Sequence, residues 1–506
     1  MTFVPFDGGL LMKNFMENVK SVLALFLSGA MLCTTVFCDN AGISGKHLNP
    51  DVDVTDAVLR ADKNIQHQIV REFGVSGCWW STGIGNRGTL DELLDLCFTE
   101  RGIALNNYRH HIGAGRDEGP LASDARPNSW RAVPTPLMKD GTMDITADPN
   151  SLRILQKINS LGTVDNITLF ILSPPACMTV NGKTYGLETG SNLKPDAYDA
   201  FAAYCADVAQ AYINAGYNIK YIAPFNEPQW QWETAYQEGC HFTPDQLLQL
   251  SKMIISELNK RQLPVKISIN ETAQYRNREY THLFYQSMME EPEIYPYVDH
   301  FAAHAYDADK NTRTAFFNWT RTVAGKLNQQ PLPVYQTEYA AWQQQDNLLT
   351  LDDRLMMTAR TIHEDLSYLN VESWGYFTLV GYGPNSLVQV SDAPAQYRIL
   401  NHFWVIGNYS KFIKGYTRIE VEPENIPEEV VGSAYLSPDR KKMVFVVINE
   451  DQKKQTMTLK GIPNHSMARV WETTETSTCE KTKGYMTADN GYILPPRSVT
   501  TFVFDL

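Results

Sequence analysis

The chain has 506 residues, room for two or three domains or one large barrel with an attachment. With 43% hydrophobic and 20% charged residues, it is not a long disordered chain. A net charge of −13, an isoelectric point near 5.4 and no long basic run argue against nucleic acid and anionic membrane surfaces as partners.

The first predicted element is a targeting segment. A short basic stretch, Met12 to Lys20, precedes the almost wholly apolar run Ser21 to Phe37, and polar Asp39 and Asn40 follow. The run is too short for a membrane span and reads as a signal peptide over residues 1–38, with Met12 as the start. It predicts an exported chain, secreted or periplasmic, with no stable membrane insertion after cleavage. Six cysteines then remain, sparse and without a C-x-x-C pair. That argues against structural zinc and leaves both one or two disulfides and six thiols open.

Residues 39–70 read as N-terminal strands belonging to a later β-sandwich. From 71 to 410, β-rich runs alternate with helical patterns. Strands are predicted at Glu72–Trp80, Ala104–Ile112, Ile167–Ser173, Ile219–Asn226, Val265–Ile269, His300–His304, Val334–Thr337 and Ser373–Leu379. Helices are predicted at Leu90–Thr99, Ser151–Asn159, Asp196–Ala215, Pro244–Arg261 and Asp352–Leu369. In Asp196–Ala215 the apolar residues Phe201, Tyr204, Cys205, Val208, Ala209 and Tyr212 recur every three or four positions, one stripe of a helix. Strands alternating with helices imply a parallel sheet, and eight such units close as a (β/α)8 TIM barrel of the α/β class. No glycine-rich phosphate turn follows the first strand, so an open doubly wound sheet is disfavoured. Residues 411–506 carry short β-branched runs between polar turns, the pattern of an attached C-terminal β-sandwich.

In a parallel barrel the functional residues gather at the C-terminal ends of the strands. Strand four ends Pro224-Phe225-Asn226-Glu227-Pro228, with Trp230 close behind. Strand seven ends Gln336-Thr337-Glu338-Tyr339, with Trp342 close behind. A carboxylate directly after an apolar run is costly unless it is paired or used. Two of them beside aromatic residues suit glycoside hydrolysis, in which one acid protonates the leaving oxygen and the other attacks or activates water.

Those residues resemble the retaining (β/α)8 glycoside hydrolases, and more specifically glycoside hydrolase family 30. Phe73-Gly74-Val75-Ser76-Gly77-Cys78-Trp79-Trp80 resembles the family's first-strand motif. Arg109 with Ile112-Gly113-Ala114-Gly115 resembles the second, and Ser173-Pro174-Pro175-Ala176-Cys177-Met178 the third. His304-Ala305-Tyr306 resembles the sixth, and Tyr409-Ser410-Lys411-Phe412-Ile413 the lead into the sandwich. The resemblance implies Glu227 as general acid/base and Glu338 as nucleophile. It implies Asn226 on the 2-hydroxyl of the attacked sugar, Tyr306 on the nucleophile, Arg109 in the substrate-side carboxylate network, and His304 among the substrate contacts. Trp80, Trp230 and Trp342 are candidate sugar-stacking faces. No metal or other cofactor is implied, the partner is an oligosaccharide or polysaccharide, and a monomer is the default expectation.

One departure stands out. His110-His111 replaces the family's Tyr-Asn after Arg109. Adjacent strand residues face opposite sides, so only one histidine points inward and a two-histidine metal site is disfavoured. The inward ring is expected to alter subsite contacts. The loop from Gln229 to Cys240 looks most like the endo-β-1,6-galactanase branch. Xylanase, β-1,6-glucanase and glucosylceramidase-like activities, or a binding-only barrel, are the alternatives.

Overall fold

The structure, a computed structural model, describes residues 52–115, 130–131, 133–233, 237–342, 348–391, 396–482 and 491–506. The predicted signal peptide and residues 39–51 lie outside the described residues. Beyond the first 49 residues the chain forms one compact unit.

The unit opens with a long strand, β1 (Val52–Ile69). The barrel then follows as β2 (Glu72–Ser76), β3 (Asn107–Ile112), β4 (Asn166–Ile171) and β5 (Ile219–Ala223). It continues as β6 (Lys266–Ile267), β7 (Ile269–Thr272), β8 (Phe301–His304), β9 (Val334–Glu338) and β10 (Ser373–Tyr376). Every neighbouring pair is parallel. β6 pairs with β5 and β7 with β8, so the fifth barrel strand is split at Ser268. The Ser268 N–H still donates to Ile222 C=O at 2.7 Å, which carries the sheet across the break. Eight strand positions therefore close the barrel.

Helices cover the strands because their apolar stripes face inward. In Pro244–Lys260, Leu247, Leu250, Ile254, Ile255 and Leu258 are buried, and Thr243 and Gln246 form a capping box at the start. The first predicted strand stops early, at Ser76, and Trp80–Ile84 is a short helix. The chain turns at Gly77, where a Cβ would lie 2.1 Å from the Tyr108 hydroxyl.

The second layer is a nine-stranded, largely antiparallel sheet. β1 belongs to it, pairing antiparallel with Thr417–Glu424 and parallel with Lys454–Lys460. The sheet folds over its own core. Tyr492, on the last strand at one end, donates to Glu472 near the other end (2.8 Å), and its ring packs 5.1 Å from Phe502. Phe445, Leu459, Val470 and Phe504 lie buried between the two halves. The layer is tied to the barrel helices by the bidentate Arg360–Glu450 pair (2.7 and 2.8 Å) and by Arg497 on Asp352 and Asp353. Cys78, Cys97, Cys205, Cys240 and Cys479 are buried free thiols, and Cys177 is exposed.

Candidate active site

The two carboxylates named from sequence meet at the C-terminal mouth of the barrel. Glu227 follows β5 and adopts φ +44°, a left-handed conformation rare for a long side chain. Its backbone is fixed on both sides. The N–H donates to Glu271 C=O (2.8 Å), and the C=O accepts from Trp230 N–H (3.1 Å) and Trp232 Nε1–H (3.2 Å). Gly239 makes room for that indole, since a Cβ there would come within 2.4 Å of the Trp232 ring. Glu338 ends β9, where a register shift against β8 brings it opposite His304. An oxygen of Glu227 and one of Glu338 lie within 4.8 Å of each other. Their side chains are 11% and 7% exposed, enough for an approaching ligand to touch.

The surroundings of the two acids differ. Glu338 accepts from Arg109 Nη1 on Oε2 (2.8 Å) and from the Tyr306 hydroxyl on Oε1 (3.2 Å). Burial and the facing Glu338 push the Tyr306 phenol far up, so it keeps the proton it donates. Glu227 instead meets His304 Nδ1 at 2.9 Å. Burial raises the Glu227 pKa, a rise the His304 hydrogen bond and charge partly offset. Burial also opposes a proton on His304, but Glu338, Glu227 and Glu271 together outweigh it and raise its pKa to about 9. His304 is thus an imidazolium at neutral pH, with both nitrogens donating. Glu227, His304 and Glu338 have ligand atoms close enough to share a metal ion. A doubly protonated imidazole has no lone pair to give one.

A third carboxylate lies beneath. Glu271, at the end of β7, is fully buried. Its Oε2 accepts from Arg109 Nη2 (3.1 Å), His304 Nε2 (3.2 Å) and the Thr337 hydroxyl. Burial would raise its pKa, but Arg109 first and His304 next bring it down to about 2. The same signal that marks Glu227 and Glu338, an acid just after an apolar run, is present at Ile267-Ser268-Ile269-Asn270-Glu271. Ending the predicted fifth strand at Ile269 hid it.

The remaining named residues divide. Asn226 is buried beside Glu227, with its Oδ1 3.5 Å from Arg109 Nη2. Trp230 and Trp342 are 44% and 51% exposed, one following each of the two facing carboxylates. Trp80 is no sugar platform. It is fully buried in the barrel core, with Nε1–H donating to Ser76 C=O at 3.0 Å. Its neighbour Trp79 lies edge-on to Phe377 at 5.6 Å. His304 also departs from the expected substrate contact, since it is fully buried between the carboxylates and orients them. His110 faces outward to the Tyr212 hydroxyl (3.1 Å). His111 is the inward one and pairs with buried Glu238 (3.1 Å). Glu238 also accepts from Ala114 N–H (3.1 Å), pinning the loop after β5 to the end of β3. Sequence alone did not mark Glu238 as a site residue.

Comparisons with known proteins identify the family. Residues 56–384 match the model of O-glycosyl hydrolase family 30. An endo-β-1,6-galactanase of Hypocrea rufa is 26% identical over 233 residues, 41% of this chain and 48% of that protein. The chain thus matches about half the length of that curated relative. Among solved structures, a conserved exported protein from Bacteroides fragilis superposes with a TM-score of 0.78, at 24% identity, over 88% of this chain and 100% of that one. A family 30 subfamily 8 xylanase from Clostridium acetobutylicum gives a TM-score of 0.66 at 22% identity, over 89% and 100%. With the family model spanning the whole row of strand-end residues from Arg109 to Glu338, this chain belongs to O-glycosyl hydrolase family 30.

Proposed function

We propose that the protein hydrolyses a β-1,6-linked galactan with retention of configuration, with Glu227 as acid/base and Glu338 as nucleophile. The observation that supports the retaining part of this reading is that an oxygen of Glu227 and an oxygen of Glu338 lie within 4.8 Å, which leaves little room for a water between the two groups. Retaining enzymes hold the pair about 5–5.5 Å apart, whereas inverting ones need about 6.5–9.5 Å to seat a water. In the first step Glu338 attacks the anomeric carbon while the Glu227 proton passes to the leaving glycosidic oxygen. In the second, Glu227 takes a proton from water, the resulting oxygen attacks the same carbon, and Glu338 leaves as carboxylate. Because His304 Nδ1–H already donates to Glu227 Oε1, the acid proton sits on Oε2, free to face the leaving group. Arg109 and Tyr306 hold the attacking carboxylate in one rotamer. Asn226 is the residue we assign to the 2-hydroxyl.

The galactan assignment draws on the loop after Glu227 and on the galactanase relative. The exposed indoles of Trp230 and Trp342 suit flat sugar faces on both sides of the cut, and so an internal cut in a polymer. We place the enzyme outside the cytoplasm, on the N-terminal signal pattern. No described helix is long and apolar enough to cross a membrane. The test is product release from β-1,6-galactan, β-1,6-glucan, xylan and arabinogalactan by protein lacking residues 1–38, with Glu227→Gln and Glu338→Gln alongside. Cleavage of β-1,6-galactan and its loss by orders of magnitude in both variants is the expected result. Preferential cleavage of another polymer reassigns the substrate, and active Gln variants remove the two assigned roles.

A further inference from the structure

Below the mouth, an unbroken line of hydrogen bonds runs down the inside of the barrel. Glu227 Oε1 meets His304 Nδ1 (2.9 Å), and His304 Nε2 meets Glu271 Oε2 (3.2 Å). Glu271 Oε1 accepts from Ser268 Oγ (2.9 Å), and Ser268 Oγ meets His300 Nε2 (3.0 Å). His300 Nδ1 meets Asp299 Oδ1 (2.9 Å), and Asp299 is 36% exposed. Asp299 and His300 directly precede β8, so they sit at the end of the barrel opposite the cleft. The split of the fifth strand at Ser268 puts its hydroxyl midway.

Proton bookkeeping along this line fixes the donors. Ionised Asp299 and Glu271 can only accept. Ser268 has one hydroxyl proton, and Glu271 Oε1 has no other donor among the described residues. With that proton given to Glu271, the Ser268 oxygen is set to accept from His300 Nε2, and with Nδ1 on Asp299 the ring then donates from both nitrogens. The ring is 1% exposed, stacked flat on Tyr335 (4.1 Å, 11°) and edge-on to Tyr221 (4.6 Å). The charged and titratable groups around it are Asp299 on its own strand, Tyr221 from β5, Lys266 from β6 (3.5 Å from Asp299) and Tyr335 from β9. If His300 loses the Nε2 proton, Ser268 turns its hydroxyl to that nitrogen and Glu271 Oε1 is left bare.

We propose that His300, acting through Ser268 and Glu271, is a remote positioning residue that sets how His304 presents its proton to Glu227. The proposal rests on the acid/base role given to Glu227 above. A line broken at Ser268 leaves Glu271 more basic, so it holds the His304 proton harder, and the nearby cation makes Glu227 more acidic. Ser268→Ala breaks the line without changing a formal charge. Ser268→Thr keeps the hydroxyl, and the small cavity that Ser268 shares with His300, Tyr335 and Gly375 has room for a methyl.

Two measurements test it. On cleavable substrate, Ser268→Ala should lower kcat roughly five-fold, the worth of one ordinary net hydrogen bond felt at a distance, with KM within about two-fold. Its alkaline pH limb should move down by about half a unit, and Ser268→Thr should restore both. An unchanged kcat and pH profile, with only the melting temperature lowered, would mean a purely structural role and overturns the proposal. The second readout needs no substrate, so it stands even if the functional assignment fails. In 15N-histidine NMR of the wild type at about pH 6, His300 should carry protons on both nitrogens, and in Ser268→Ala the Nε2 proton should be lost. A wild-type His300 with a bare nitrogen overturns the proposal whether or not the variant folds.

Discussion

Replacing Arg109 with Met keeps the length and apolar stem of the side chain but removes the cation that two buried carboxylates share. The guanidinium lies 2.8 Å from Glu338, 3.1 Å from Glu271 and 4.1 Å over the ring of Phe170. For Glu271, burial pulls the pKa up, and Arg109 first, with His304 and Thr337, takes it from 4.5 to about 2. That displacement is worth about 3 kcal/mol at neutral pH. Arg109 is the largest of the influences that produce it, and breaking a buried pair by removing one partner generally costs about 3–5 kcal/mol. The sign with pH follows. In the wild type the depressed Glu271 pKa supplies stability that is complete above about pH 4.5 and lost as pH falls toward 2. In Arg109→Met burial prevails, the carboxyls take up protons in the folded state, and the deficit shrinks as pH falls. Urea unfolding of both proteins at pH 7 and pH 4.5 measures this. A deficit near 3–5 kcal/mol at pH 7 that narrows at pH 4.5 is expected. A deficit under about 1 kcal/mol, or one equal at both pH values, refutes the reasoning.

Four further outcomes follow from other parts of the molecule. His304, with its pKa raised from 6.5 to about 9, contributes stability that is complete below about pH 6.5 and lost as pH rises through 9. Urea unfolding should therefore weaken between pH 7 and 9.5, and His304→Gln should flatten that limb. Trp230→Ala and Trp342→Ala should each raise KM for the polymer roughly 5–30-fold, for about 1–2 kcal/mol of stacking, while leaving the melting temperature unchanged. Trp80→Ala should do the reverse at the level of folding, costing about 3–5 kcal/mol, because its ring is core. Glu238→Ala releases His111 and the Ala114 N–H together. It should cost about 2–4 kcal/mol in urea unfolding and speed proteolysis in the loop after β5.

The parts of this molecule legible in the sequence are those set by local pattern. An acid directly after an apolar run marks a strand end facing the mouth, and Glu227 and Glu338 were found that way. Glu271 escaped because the fifth strand is broken at Ser268, and the β-rich run seemed to end before the acid. Trp79 and Trp80 were confused because the run was read as one strand to Trp80. The chain actually turns at Gly77 and enters a short helix at Trp80, which takes that ring into the core. Alternation predicted that only one of His110 and His111 faces inward. It could not predict their partners, Tyr212 and Glu238, which lie 102 and 127 residues away. Thr417–Glu424 was missed for a related reason. Its Glu-rich sequence has little strand propensity, and pairing with β1 overrides it.

The central claim is a double displacement through Glu338. It is tested most directly by 1H NMR of the anomeric proton of the first sugar released from β-1,6-galactan, followed from the first minutes. The account predicts that the β anomer appears first and the α anomer only later, by mutarotation. An α anomer appearing first would mean single displacement by water and would contradict the close pairing of Glu227 and Glu338 as acid/base and nucleophile.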